Sequence, residues 1–467
     1  MEPKIIIFWL LLLFGVPLCI VLTKLSRKFL NFIFIMMVVS LCEPNRLAIM
    51  LIERTDYRAI TRGLEVSATD FLALILIVAM FLRPKEFKIR WFPPMIGSYV
   101  IFTVVALVSY YLCADYLTIP QKYFSQYPLT SYDYFEIGLY PVFEIAKVIR
   151  GIFLLWVTIN FLSEKGGLRY LGVASICSIY YLTFYALIDR YIYGEYRIAA
   201  TLQHSNVLGS YMILLSCIVC GLALYNKKHI YKIICYLALA AGGICIILTI
   251  SRGALVFWSG SISAMIILLF LRSRKLNNLP YAMIAVVLAF GVTLKAYDSI
   301  SHRFSGDSLS DYSVRDEYNM DSRLMAKDHF WGVGMGNFSA YSWNKYAAMN
   351  PHRTERPGVP AHSMWYLTLA ELGLPGLIAL IFIWLRFLLV VFKNWAGRPS
   401  DYHYTWLIIS LMGCVGLVLQ ESLNNSYRFI SIYFMVQIFT AIPVAIYYLE
   451  NDAKLAEGAV QENSSDT

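Results

Sequence analysis

Residues 254–271 read ALVFWSGSISAMIILLFL. No Asp, Glu, Lys or Arg interrupts them. A helix rises about 1.5 Å per residue and the hydrocarbon core of a bilayer is about 30 Å thick, so this run is about as long as a spanning helix requires. Further apolar runs fall on either side, near residues 5–23, 29–42, 68–82, 92–113, 145–162, 169–188, 205–225, 231–250, 279–295, 363–392, 404–423 and 429–449. The pattern predicts an all-α polytopic membrane protein with 12–13 transmembrane helices. The second run is short and is expected to continue past Glu43–Arg46 as a broken or tilted segment.

Composition agrees. Of 467 residues, 59% are hydrophobic and 15% charged; a soluble domain carries roughly 25% charged residues. The run 5–23 ends in Lys24, Arg27 and Lys28 and has neither a basic leader nor a small-residue cleavage site, so it reads as a retained helix. The nine cysteines lie inside apolar runs or, for Cys42 and Cys113, at run ends; they read as small buried hydrophobes rather than a disulfide framework.

The net charge of +9 does not argue for nucleic acid, because much of it lies in short loops. Alternate connections read KLSRK (24–28), RPKEFKIR (83–90), EKGGLR (164–169), NKKHIYK (226–232), RSRK (272–275) and KNWAGR (393–398). With thirteen helices all six fall on one side, which the positive-inside rule makes the cytoplasm. The acidic tail 450–467 falls there too. The longer connections, 43–67, 114–144, 189–204 and 296–362, fall outside.

The chemistry-bearing residues gather at that outer side. Ser251–Arg252–Gly253 separates two apolar runs by the tightest connection. Arg252 reads either as an interfacial arginine reaching headgroups or as an anion clamp, with Gly253 letting a ligand approach the backbone. Arg197, His204 and Asn206 lead into the run 205–225, which Ser205 or Asn206 is placed to cap. Arg315 and Arg323 are eight residues apart on an expected amphipathic helix over 312–330, so both fit one face. That helix reads either as a solvated charged surface or as a phosphate-binding one. GVGMGN (332–337) follows no predicted strand and reads as a tight turn rather than a dinucleotide site. His362 stands where the outer loop enters the run 363–392, either structural or a general base. Glu371, about two and a half turns below it, and Gln420 and Glu421 are expected to hydrogen-bond between helices. No metal-binding motif is present on the outer side.

Three stretches, SRGAL at 251–255, RDEYNMDSRLMAKDHFWGVGMGNF at 315–338 and AHSMWYLTLAELGLPGL at 361–377, resemble the bacterial O-antigen ligase and O-antigen polymerase superfamily in order and spacing. Ser363 stands where that family often has Asn, and Phe330–Trp331 where a Pro is common. The resemblance covers roughly residues 195–440. It implies a C-type glycosyltransferase-like membrane fold with N-terminal helices in 1–195, a catalytic region 196–449 including the external loop 296–362, and the tail 450–467.

It further implies transfer or polymerisation of an undecaprenyl-pyrophosphate-linked oligosaccharide onto a glycan or lipid-linked acceptor. The site would lie on the external face of the bacterial cytoplasmic membrane, among membrane lipids and polysaccharide assembly proteins. By motif, Arg252 and Arg315 hold pyrophosphate, Arg197 is a further candidate, and His362 activates the acceptor hydroxyl. Arg323, Asn206 and Glu371 are additional candidates, and Arg323 is the alternative to Arg315. No cofactor or metal is called for, since arginines can carry the leaving-group charge. Tyr341, Trp343 and Tyr346 are expected to stack on sugars. The motifs do not separate ligase from polymerase, although the polymerase is the slightly favoured form. The rival reading is a flippase or transporter, but its expected midplane charges and paired halves are not evident in the sequence.

Overall fold

Backbone in lipid must satisfy its own hydrogen bonds, so apolar runs of this length become helices. The computed structural model describes residues 3–44, 46–53, 63–113, 139–273, 308–346, 349–350 and 360–465. The first run forms α1 (Pro3–Leu10), a π-helical turn (Leu11–Gly15) and α2 (Val16–Leu25). There follow α3 (Arg27–Val39), α4 (Ala68–Phe81), α5 (Ile96–Cys113), α6 (Leu139–Leu162), α7 (Gly167–Tyr191), α8 (Ser205–Tyr225), α9 (His229–Leu248) and α10 (Arg252–Ser273). After them come α11 (Ser308–Asp328), the short α12 (Phe338–Tyr341), α13 (Met364–Ala396), α14 (Asp401–Glu421) and α15 (Ile430–Ser465). Nine helices among the described residues are long and apolar enough to cross a membrane. The chain is an all-α polytopic membrane protein. Twelve of the thirteen expected runs coincide with described helices; the run 279–295 lies outside the described residues, as do 114–138, 296–307, 347–348 and 351–359.

The second run does not continue as a broken helix. It ends in a 3₁₀ turn at Ser40–Cys42, and the chain then forms an antiparallel hairpin of β1 (Ala48–Glu53) and β2 (Gly63–Ser67), with Ala48 opposite Ser67. Glu43 is too well paired to extend a lipid-facing helix: it accepts from the Tyr181 hydroxyl and lies 3.5 Å from Arg46.

Depth in the bundle follows the apolar periphery of each helix. The membrane window of α15 is 94% buried and that of α8 is 89%, whereas the N-terminal helix is 11% buried and lies at the rim. The basic loops gather at one end of the bundle. Arg83 donates to the carbonyls of Thr23 and Lys24, and Arg27 pairs with Glu86 at 3.0 Å. Lys88 and Arg90 both pair with Asp452, Arg272 lies 3.6 Å from Asp401, and His403 meets Glu450. The expected C-terminal tail therefore begins as a continuation of α15 that returns charge to this end.

Candidate functional site

At the other end, α8 and α10 start side by side. Gly209 and Ala254 form the contact: a Cβ on Gly209 would lie 2.6 Å from that of Ala254. Helix N-termini carry unsatisfied N–H groups and a partial positive charge, so two together favour an anion. The cap of α8 is His204, neither Ser205 nor Asn206: its Nδ1 accepts the Asn206 N–H at 3.1 Å. Burial, and then the Arg197 charge, hold the His204 pKa below its ordinary value. Arg197 donates to Asn206 Oδ1 at 2.7 Å and to the Thr249 carbonyl at 3.4 Å. Between α9 and α10, Ile250 takes a left-handed conformation (φ 52°), and Arg252 is the first residue of α10. The space beside Gly253 is occupied by the Gln420 side chain, whose Oε1 lies 2.7 Å from where a Cβ would sit. Helix packing, rather than room for a ligand, explains that glycine.

The expected amphipathic helix is α11. Its Tyr318 ring meets the His362 ring edge-on, centroids 5.9 Å apart. Arg315 precedes Tyr318 by one turn, is half-buried, and makes no hydrogen bond or ion pair among the described residues. Arg323 is engaged elsewhere. It donates to the Tyr366 hydroxyl at 3.0 Å and lies 5.2 Å from the centre of that ring. The acids of α11 hold the outer segment. Asp321 accepts from Ser342 at 2.6 Å and Asn350 at 3.1 Å, and Asp328 from Lys345 at 2.6 Å and Tyr346 at 3.0 Å. Tyr341 and Tyr346 are buried, at 4% and 0% exposure, in the small core beneath α11. Neither offers a face to a sugar, which corrects the stacking expected of them; the Trp343 side chain lies outside the described residues.

GVGMGN is the tight turn its composition predicts, with Gly332, Gly334 and Gly336 all at positive φ. It docks on a break in α13. Gly373 there has φ 65° and ψ −166°, two residues before Pro375. The Val333 and Gly334 amides donate to the carbonyls of Ala370 and Glu371 at 3.0 and 2.8 Å, and the Leu374 amide to that of Phe330 at 3.2 Å. The glycine turn and the stretch Glu371–Gly376 are thus two halves of one joint.

Below the joint lies a buried set of four charges. Arg428, in the 3₁₀ turn Ser426–Arg428, donates to Glu144 at 2.7 and 3.1 Å and to Glu371. Lys147 donates to Glu144 at 2.7 Å and to the Arg428 carbonyl at 2.6 Å. Glu371 also accepts from the Gly336 amide. The expected interhelical role of Glu371 is visible here. Glu144, Lys147 and Arg428 were not singled out from sequence, yet a charge inside an apolar helix requires partners and is itself a signal.

Segment 420–428, joining α14 to α15, touches α8, α10 and α13 at this end. Gln420 packs on Gly253, and Asn424 Oδ1 accepts from Asn206 Nδ2 at 2.7 Å. Ser422 accepts from the Trp365 indole at 2.8 Å, one turn after His362. Glu421 accepts from Ser210 at 2.7 Å and from the Tyr427 amide at 2.7 Å. Structure therefore joins Arg197 to Asn206 directly, brings His362 to the helix of Arg315, and ties both groups to one segment. Arg323 and Glu371 are committed to protein partners.

Residues 236–381 match the family model described as O-antigen ligase. The matched region contains Arg252, Arg315, His362 and Glu371, whereas Arg197, Asn206 and 420–428 lie outside it. No curated protein matches the chain.

Proposed function

We propose, from the match of residues 236–381 to the O-antigen ligase family model, that the chain transfers a glycan from an undecaprenyl diphosphate carrier to a sugar hydroxyl. The reaction takes place at the end of the bundle opposite its basic loops, the external face of the cytoplasmic membrane. The acceptor belongs to the next lipid-linked unit in the polymerase form of the reaction and to a separate glycan or other acceptor in the ligase form.

His362 takes the proton of the acceptor hydroxyl while its oxygen attacks the anomeric carbon. The bond from that carbon to the diphosphate oxygen breaks, and the carrier diphosphate departs with the electron pair. A single displacement inverts the anomeric centre. Arg252, Arg315 and Arg197 hold the diphosphate, because guanidinium forks match phosphate oxygens and stabilise the charge that grows on the leaving group. The N-termini of α8 and α10 add to that field.

The edge-on contact of Tyr318 with His362 carries this reading. It sets Arg315, which has no hydrogen bond or ion pair among the described residues, one helical turn from the tyrosine that touches the proposed proton acceptor. The test is chain transfer by purified protein in nanodiscs, with an undecaprenyl-diphosphate-linked oligosaccharide and no ion gradient. Product is expected from the wild type. His362→Ala is expected to lose about 10²–10⁴ in rate, the usual worth of a general base, while remaining folded. Full activity in His362→Ala, or transport without transfer, would refute the enzyme.

A further inference from the structure

We propose that segment 420–428 is the positioning element of this site, and that Asn424 is a positioning residue for Arg197. The inference rests on the diphosphate reading above and deepens it.

A primary amide presents an acceptor on one side and donors on the other, so its orientation decides what it offers a neighbour. Asn206 must turn its oxygen toward Arg197, and it does so at 2.7 Å. Its Nδ2 then points the other way, to Asn424 Oδ1 at 2.7 Å. The Asn424 amide is oriented in turn, because its own Nδ2 donates to the Gln420 carbonyl at 3.3 Å. The carbonyl at the end of α14 thus fixes Asn424, Asn424 fixes Asn206, and Asn206 fixes the guanidinium. Asn424 is only 4% exposed, so it acts through Asn206 rather than on a ligand. Without it, the Asn206 amide is free to rotate and present its NH₂ to Arg197, which donor meeting donor disfavours.

The remainder of the segment does the same for its neighbours. Ser422 holds Trp365 on the helix that follows His362, and Gln420 lies against Gly253 beside Arg252. Arg428 locks the segment to Glu144 and Glu371 beneath the joint in α13. One stretch of nine residues, outside the matched family region, therefore sets the register between the arginines and the histidine.

The experiment is a double-mutant cycle read as binding of undecaprenyl diphosphate to the full chain in nanodiscs, with undecaprenyl monophosphate as the control. Asn424→Ala is expected to weaken diphosphate binding about tenfold in the wild type and no more than about twofold in Arg197→Ala, since contacting residues couple and independent ones add. Equal losses for Asn424→Ala in both backgrounds, or no loss in the wild type, would overturn the proposal. If the alanine variant does not fold, Asn424→Ser, too short to reach Asn206, runs the same cycle. Failure of the diphosphate reading has a different signature: Arg252→Ala and Arg315→Ala leave binding unchanged, and the two carriers bind alike.

Discussion

The amide of Gly334 donates to the carbonyl of Glu371 at 2.8 Å, which closes the outer glycine turn onto the break in α13. The closure depends on Gly373. Its φ and ψ fall where residues with a side chain almost never go, and a Cβ there would stand 1.9 Å from the Phe330 carbonyl oxygen. Gly373→Ala is expected to cost about 3 kcal/mol or more, from backbone strain plus a collision that no side-chain rotation relieves. Thermal unfolding in detergent measures it, and a variant that melts with the wild type would mean the joint is not built this way.

Arg315 and Arg323 part company in the same manner. Arg323 already has Tyr366, so Arg323→Ala removes an exposed cation–π contact and hydrogen bond, a loss of about 1 kcal/mol in stability, with little effect on carrier binding. Arg315→Ala is expected to leave stability unchanged and weaken undecaprenyl diphosphate binding at least about tenfold. Arg315→Lys recovers only part of this, because an ammonium lacks the two-pronged geometry. Binding isotherms for the three variants decide it; the reverse ranking would transfer the role to Arg323.

What the sequence revealed follows from the range of the physics involved. Apolar periodicity is local, so α5, α8 and α10 were legible to within a few residues, and so was α11. Arg252 and His362 stood out because a charged or titratable group at the edge of a lipid-spanning run is costly, and Arg315 because it heads an expected amphipathic helix and the stretch 315–338. Partners 200 residues apart were not legible. Nothing local pairs Asn206 with Asn424 or Glu144 with Arg428, and GVGMGN alone does not say that its partner is Gly373. Tyr341 and Tyr346 show the converse: aromatic residues in an outer loop look available, but Asp328, Lys345 and α11 fold them into a small core.

The caps titrate. Burial and then Arg197 depress the His204 pKa below its ordinary 6.5; burial and then Lys345 do the same for His329, against the opposing charge of Asp328. For a base held low in the folded state, the unfolded chain binds more protons, so stability rises with pH across the window. The stabilising contribution is complete above about 6.5 and falls as pH drops from there toward the depressed folded values. Protonating Nδ1 of His204 would also remove the acceptor for the Asn206 amide. Melting temperature is expected to decline below pH 6.5, and His204→Asn, which can cap without titrating, should flatten part of that decline. A profile unchanged by His204→Asn would show that the imidazole is not held neutral.

Two cations and two anions balance beneath the joint, and that balance predicts an uncommon pattern of rescue. Arg428→Met leaves Glu144 and Glu371 buried with Lys147 as the remaining cation, a net charge of −1 in the set. Removing one partner from a buried ion pair costs about 3–5 kcal/mol, because the surviving charge stays desolvated. Adding Glu371→Gln to Arg428→Met restores neutrality: Glu144 keeps Lys147 at 2.7 Å, and the introduced side-chain amide still has an oxygen to accept from the Gly336 N–H. The double variant is therefore expected to be more stable than Arg428→Met alone, although it has lost one more native group. Glu371→Gln alone, which leaves the set at +1, should sit between the wild type and Arg428→Met, since Arg428 retains Glu144. Thermal midpoints of the four proteins in one detergent give the comparison. If the two substitutions simply add, charge balance is not what holds this end of the bundle together.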